Sequence, residues 1–505
     1  MTKLAALSTV AAIFDPLTHT SKWQVAVGLL LLTAGALAIH GYHPYAEDAE
    51  IYLPGIEKNL HPELFPVGAE FFESHAGLTL FPNLIAASVR MTRLPFDYAL
   101  FGWHLASIFL LLLACWELSG KCFTMTHARW CAVALVAALL TLPVAGTALY
   151  LMDQYLNPRN LAAFSGVFAI VRTLESRYLR AGLWLVFAVT IHPLMAFFAL
   201  SFCILVLVLK RFEYGSAMAI ALLPFGNSLA PPSPAYHEAV RFHGFHYILQ
   251  WQWYEWIGIV APVAVFWWFR RIAQSRGLND LARMCGALIF YDLGYCVAAL
   301  IVSVPKRFES LARIQPLRSL HLLYILLLLF AGGFIAEYIL KKHIWRWVAF
   351  FLPIASGMAF AQHALFPASS HIEWPWGVQR NEWAQAFIWV RQNTPADAVF
   401  AIDPSYIQIP GEDTIGFRAL AQRSRLADAV KDSGAVSMFP PLAEKWFDQY
   451  WAQKDWRKFG APDFVRLNRN YGVTWIVLQK PGVPGLICPY QNSSVLVCRL
   501  ASDPT

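Results

Sequence analysis

Long apolar stretches, each close to the length of a membrane crossing and separated by short basic clusters, constrain this chain more than any other feature. A helix crossing the ~30 Å hydrocarbon layer needs about 20 apolar residues, and only helices and closed barrels satisfy their own backbone there. Candidate spans fall at 22–40, 98–118, 129–150, 160–176, 181–193, 195–209, 216–230, 252–269, 283–303, 318–340 and 344–365. Charged residues are 14% of the chain, against roughly 25% in soluble domains. The basic groups Arg172/Arg177/Arg180, Lys210–Arg211, Arg270/Arg271/Arg276/Arg283 and Lys341/Lys342/Arg346 lie between spans. With about 11 spans and the N-terminus inside, all of them fall on the cytoplasmic side, as the positive-inside rule requires. The same count puts 41–97, 231–250, 304–317 and 366–505 outside.

Two segments test this count. The run Trp23–Ala38 is followed by His-Gly-Tyr-His rather than a small-residue cleavage site, so it reads as a retained first span. Leu78–Met91 is apolar but short, holds Pro82 and Asn83, and ends in Arg90 and Arg93. It reads as an interfacial or re-entrant helix in the first outer loop; if it spanned, every later assignment would invert.

Beyond Ser369 the chain turns polar and Trp-rich. Trp383–Thr394 has helical spacing with Pro395 as a stop. Runs 399–402, 473–478 and 494–500 read as strands. The expected architecture is therefore a polytopic α-helical membrane bundle, residues 1–368 with a first outer loop 41–97, followed by a small extracytoplasmic α/β domain, 369–505. Six of the eight cysteines sit in or beside spans as small apolar residues. Cys488 and Cys498 lie in the tail; an outer location would allow them a disulfide. The formal charge of +7 is dispersed in loop clusters and points to no nucleic acid. P-loop, Ser-elbow, His-Glu-x-x-His and Gly-rich dinucleotide signatures are missing from the sequence.

The segment His43-Pro-Tyr-Ala-Glu47-Asp48-Ala-Glu50-Ile-Tyr52 carries the best clue to chemistry. Of the seven acids in 41–77, Glu57, Glu63, Glu70 and Glu73 read as a solvated loop. Glu47 and Asp48 stand close after the first span, bracketed by Tyr45 and Tyr52. Adjacent carboxylates shielded by aromatics hold a proton longer or recruit a divalent ion, and either state suits deprotonation of a hydroxyl.

This layout resembles the GT-C class of integral membrane glycosyltransferases: a first span, a long outer loop opening on an acidic pair, a many-helix bundle and an outer C-terminal domain. The resemblance covers most of the chain in architecture, whereas the motif is two residues, in the order Glu-Asp where many members have Asp-Asp or Asp-Glu. It implies Asp48 as catalytic base or metal ligand with Glu47 assisting, Mg or Mn as the ion, and a polyprenyl-phosphate-linked sugar as donor to an unknown acceptor. It also implies the inner membrane of a bacterium, with a periplasmic domain able to dock a protein partner. Tyr52 and the cations Lys306, Arg307, Arg313 and Arg318 would then grip the lipid phosphate. The alternative for these cations is pairing with Glu309 or anionic lipid. Asp153 is a second acidic candidate or simply the partner of Arg159, and His243 sits in an aromatic-rich loop suited to a sugar or to a membrane interface. Arg418, Arg423 and Arg425 read as surface residues. The competing class is a non-catalytic scaffold, an assembly subunit, or a transporter, the last disfavoured by the lack of an internal repeat.

Overall fold

The computed structural model describes residues 21–211, 233–303, 311 and 313–500. Residues 1–20, the expected span 216–230, Lys306 and Arg307 lie outside them. The first helix, α1 (Lys22–His40), starts at Ser21, whose hydroxyl accepts from Gln24 N–H while the Gln24 side chain accepts from Ser21 N–H. Three short helices follow, α2 (Ala49–Leu60), α3 (Glu70–Ala76) and α4 (Phe81–Thr92). The bundle continues with α5 (Phe96–Cys122), α6 (Thr126–Ala138), α7 (Pro158–Leu174), α8 (Tyr178–Ile191) and α9 (Pro193–Arg211). After α10 (Pro234–Arg241) come α11 (Trp253–Ser275), α12 (Asn279–Ser303), α13 (Leu320–Ile335) and α14 (Ile344–Leu365). A 3-10 turn, Pro316–Ser319, leads into α13 and a π-turn, Ala336–Leu340, leaves it.

Among the described residues, seven helices are long and apolar enough to cross a membrane: α1, α5, α9, α11, α12, α13 with its flanking turns, and α14. Of the eleven expected spans, 216–230 lies outside the described residues, and 129–150, 160–176 and 181–193 are not among these seven helices. The 129–150 run is broken because α6 stops before Leu139 and Pro143 cannot continue it. There the chain folds back on itself, with Val144 N–H donating to Leu149 O at 2.8 Å. The α7 and α8 runs have 17 and 14 residues, and α7 is buried along nearly its whole length between α5, α8 and α9. The α4 helix has 12 residues, about 18 Å at 1.5 Å per residue, too short to cross; it packs on α2. Close packing in the bundle relies on small residues: a Cβ on Gly332 of α13 would lie 2.7 Å from the Cys131 carbonyl of α6.

The C-terminal part is α/β. It contains α15 (Glu382–Asn393), β1 (Val399–Ile402), α16 (Phe417–Ala421), β2 (Ser424–Arg425), α17 (Lys431–Met438), α18 (Ala443–Ala452), α19 (Ala461–Tyr471), β3 (Trp475–Gln479), β4 (Ile487–Gln491) and β5 (Val495–Arg499). The sheet order is β2-β1-β3-β5-β4, with β1 parallel to β2 and β3, and β5 antiparallel to β3 and β4. Sequence reading missed β2, only two residues long, and the edge strand β4, whose side chains are mostly solvated. Asn381 caps α15 by accepting from Trp383 and Ala384 N–H. Cys488 and Cys498 form a disulfide between β4 and β5.

Candidate active site

The acidic segment between α1 and α2 is laced to the C-terminal domain by its main chain. Tyr42 N–H donates to His371 O (3.0 Å), Glu373 N–H to Tyr42 O (2.9 Å), Glu47 N–H to Thr414 O (2.8 Å) and Gly416 N–H to Tyr45 O (2.7 Å). Gly41 turns the chain at the end of α1 with φ +76°, a conformation that costs glycine little. Glu47 itself has φ +52°, which costs a non-glycine residue on the order of 1–3 kcal/mol; its main-chain bond to Thr414 helps hold it there.

A lysine that sequence reading did not single out completes the pair. Lys431 Nζ, at the start of α17, donates to Glu47 Oε2 at 2.5 Å and Asp48 Oδ1 at 2.9 Å. Arg159 Nη1 donates to Asp48 Oδ2 at 3.2 Å, and its Nη2 to both Asp153 oxygens at 3.1 and 2.9 Å. Asp153 is therefore the partner of Arg159 as well as part of the wall. Asn157 caps α7 by accepting from Arg159 N–H at 2.9 Å, which places that arginine on the first turn. Asp48 N–H donates to the Tyr155 hydroxyl at 3.2 Å.

A second layer positions Lys431. Asp428 Oδ1 accepts from the N–H groups of Val430, Lys431 and Asp432 at 2.9, 2.6 and 2.9 Å, capping α17. Asp428 and Asp432 are tied through Arg425 and Arg418 to Glu50 of α2. Arg418 donates to both Asp432 oxygens at 2.8 and 2.9 Å, its N–H donates to Glu50 Oε2 at 2.7 Å, and Arg425 Nε donates to Glu50 Oε1 at 2.8 Å. Arg425 also pairs with Asp428. Arg418 and Arg425, expected at the surface, are buried, because Glu50 of α2 joins Asp428 and Asp432 in pairing with them; Arg423 is buried too, donating to the Thr394 and Arg391 carbonyls. Glu57 was expected in solvent and is buried against Gln422. Glu63 is exposed, Glu73 half-exposed beside Lys58, and Glu70 pairs with Lys445.

The charges decide the protonation state. Burial would raise the Asp48 carboxyl, but Lys431 and Arg159, with Arg318 behind them, overcome it and hold the group well below the usual carboxylate range. For Asp48 the shift is opposite to the expectation that crowding holds a proton on it. Burial alone would lower the Lys431 ammonium; Asp48 and Glu47 hold it above its ordinary value. Asp48 nevertheless keeps 25% of its side chain exposed, and a carboxylate has about four acceptor sites, so lone pairs remain for an incoming hydroxyl.

Arg318 sits on the 3-10 turn that heads α13, half-buried, and its Nε is buried without a hydrogen-bond partner. Among the described residues it makes no ion pair, yet its charge reaches Asp48 and Tyr52. Tyr52 stacks edge-on against Phe81 and His75, and burial pushes its hydroxyl up. His243 is bound to Ser433 Oγ at 3.0 Å and lies 5.5 Å ring to ring from His246. Burial lowers His243 to about 4 and His246 well below its ordinary value, so both are neutral at neutral pH. Arg313 is half-buried on the turn before Arg318. The structure thus brings together Glu47, Asp48, Tyr52, Asp153, Arg159, Arg318 and the unforeseen Lys431. His243 packs against α17 through Ser433 and Gly434, next to Lys431.

The donor set does not suit a resident divalent ion. Lys431 and Arg159 already occupy an oxygen each of Asp48, Lys431 also holds Glu47, and no group of three His, Cys, Asp or Glu able to hold a metal occurs among the described residues.

No family model and no curated protein matches the chain. Two solved structures from Archaeoglobus fulgidus resemble it. The apo oligosaccharyltransferase has 12% identity and a TM-score of 0.45, over 91% of this chain and 70% of that one. The oligosaccharyltransferase AglB in complex with an inhibitory peptide and a dolichol-phosphate has 12% identity and a TM-score of 0.47, over 91% and 69%. At these scores the residue roles rest on the geometry of this chain alone.

Proposed function

We propose that this chain is a GT-C-type membrane glycosyltransferase that moves a sugar from a polyprenyl-phosphate carrier to an acceptor on the outer face of a bacterial inner membrane. Residues 1–368 form the membrane part with the first outer loop 41–97, and 369–505 the periplasmic domain, which also offers a surface for a protein partner. The observation that carries this reading is an ionised, partly exposed Asp48 beside Arg318, a cation with an unpartnered Nε at the head of a membrane-spanning helix. In this reading Arg318 holds the donor phosphate and stabilises charge as it leaves. Tyr52 lines the same space.

In the reaction the acceptor hydroxyl oxygen bonds to the anomeric carbon while the bond from that carbon to the phosphate oxygen breaks. The electron pair leaves on the phosphate. A carboxylate held as low as Asp48 takes the hydroxyl proton late, after bonding has made that hydroxyl acidic. Until then Asp48 orients the hydroxyl as an acceptor, and Glu47 and Lys431 fix its position. Lys431 supplies the positive charge beside the carboxylates, so no step is routed through a metal.

The test is transfer from a synthetic polyprenyl-phosphate sugar by the purified full chain. Asp48→Asn should lower turnover by about 10²–10⁴-fold while lipid binding persists, and Arg318→Ala should weaken lipid binding. Transfer unchanged in Asp48→Asn would remove Asp48 from the chemistry, and a parent chain that transfers no sugar would put the scaffold reading in place of this one.

A further inference from the structure

Behind the acidic segment lies a cavity of about 160 Å³ whose lining includes none of Glu47, Asp48, Arg159, Arg318 or Lys431. Its walls come from three places: Tyr42 and Tyr45 of the loop after α1, Asp97 at the start of α5, and Glu373, Trp374 and Arg391 of the C-terminal part. A second cavity of about 430 Å³ shares Glu373, Trp374, Gly377 and Gln379 with it and opens toward Arg380, so the two form one cleft. Trp376 stacks on Trp374 at 5.0 Å and 19° and stays 63% exposed. The Tyr42 hydroxyl, on a side chain only 1% exposed, has no hydrogen-bond partner although it lines the cavity, and Gln379 Oε1 is likewise buried and unpartnered. A buried polar atom left without a partner costs about 1–3 kcal/mol, so both atoms call for a ligand or ordered water.

The chemistry of the walls narrows the ligand. Glu373 accepts from His43 at 2.8 Å and Asp97 from the Tyr45 hydroxyl, and each carboxylate keeps further lone pairs. Arg391 makes no ion pair among the described residues and offers donors. An anion would meet two carboxylates, and an ammonium ligand would meet Arg391. A neutral ligand whose hydroxyls both donate and accept satisfies both kinds of group, and its apolar ring face can cover an indole. We infer that this cleft is a saccharide-binding subsite, with Trp374 as its stacking platform and Asp97, Glu373 and Arg391 as its polar contacts. It lies along the strand of chain that leads directly to Glu47 and Asp48, Pro44 and Tyr45 being part of its wall. Its role as the seat of a carbohydrate acceptor rests on the transferase reading; its ability to bind sugar does not.

The experiment is direct binding of free sugars to the full chain in nanodiscs, read by tryptophan fluorescence and saturation-transfer NMR. The probes are glucose, mannose, galactose and N-acetylglucosamine, with cellobiose, lactose and chitobiose. Saturable binding of at least one is expected, weakened by about tenfold or more in Trp374→Ala and Asp97→Asn and retained in Asp48→Asn. The exposed Trp376→Ala, which leaves the cavity wall intact, should weaken a disaccharide more than a monosaccharide and serves if Trp374→Ala fails to fold. No saturable binding by any probe, binding unchanged in Asp97→Asn and the tryptophan variants, or preferential binding of tetramethylammonium would overturn the inference. Loss of transfer in Asp48→Asn together with unchanged sugar binding in the cleft variants would sink the subsite and leave the transferase reading standing. Sugar binding that follows the cleft variants, with no transfer by the parent chain, would do the reverse.

Discussion

At the scale of single residues, Lys431 matters most among the side chains of the site because it contacts both Glu47 and Asp48 and helps hold the Asp48 carboxyl low. Asp48 has a depressed pKa in the fold, so its pairing contributes stability above its unfolded value, about 4, and loses it only as pH falls through the lower folded value. Lys431 has a raised pKa, so its contribution is complete below its unfolded value, about 10, and is lost as pH rises through the folded one. The cluster should stay intact across that whole window. In Lys431→Ala the Asp48 pKa rises, and the pH profile of transfer should gain an acid limb that the parent chain lacks. Each tenfold gain in the proton affinity of Asp48 corresponds to about 1.4 kcal/mol of lost ion pairing. Lys431→Arg should move the limb back toward acid. A profile that is identical in parent and Lys431→Ala would show that Asp48 does not need the lysine. The acidic pair was legible in the sequence because nothing in a helix bundle requires two adjacent carboxylates there. The lysine was not, because it meets them across 384 and 383 residues of chain.

At the scale of elements, α2 packs the segment after α1 against the C-terminal α/β part. Its face carries Glu50 and Glu57, both buried among C-terminal residues. Gly416 lies against Glu50 so closely that a Cβ there would sit 2.9 Å from Glu50 Oε2 and 3.1 Å from its Cα; Gly416→Ala should therefore loosen the junction. Burial raises the Glu57 carboxyl well above its ordinary value. A raised carboxyl means that the folded state binds a proton the unfolded state has lost, so stability falls as pH rises above the unfolded pKa. Glu57→Gln keeps an acceptor for Gln422 and removes the ionisation, and its melting temperature should exceed that of the parent at pH 8 and depend less on pH. Equal melting temperatures at pH 5 and pH 8 in the parent would count against this. No helix was read at 49–60, which stood only as part of the first loop, and Glu57 was read as solvated because its partner Gln422 lies 365 residues away.

At the scale of the whole molecule, the buried network of Glu50, Arg418, Arg425, Asp428 and Asp432 joins the outer loop to the C-terminal domain and so couples the two halves. Each of these side chains is at most 2% exposed. Removing one partner from such a network leaves uncompensated buried charge, at a cost of about 3–5 kcal/mol. Arg418→Met should lower stability by that order and split a single unfolding transition, followed by differential scanning calorimetry, into two. A single transition at the parent temperature would show that the halves are held by other contacts.

Period and composition alone determined that the chain is a polytopic helical bundle with a polar α/β tail, because membrane length and apolar runs leave few alternatives. They also marked Glu47–Asp48, and placed α15, β1, β3 and β5 to within a few residues. Only the tertiary structure decided which apolar runs are long helices and which stop early, since Pro143 and the packing of α7 act after the runs are brought together. It alone decided that Arg418, Arg423 and Arg425 are interior and that Lys431 lies against the acidic pair. For the charged residues the physical reason is that a charge is buried or exposed according to the partner that reaches it: Glu50 reaches Arg418 and Arg425, and Glu47 and Asp48 reach Lys431, from the opposite end of the chain.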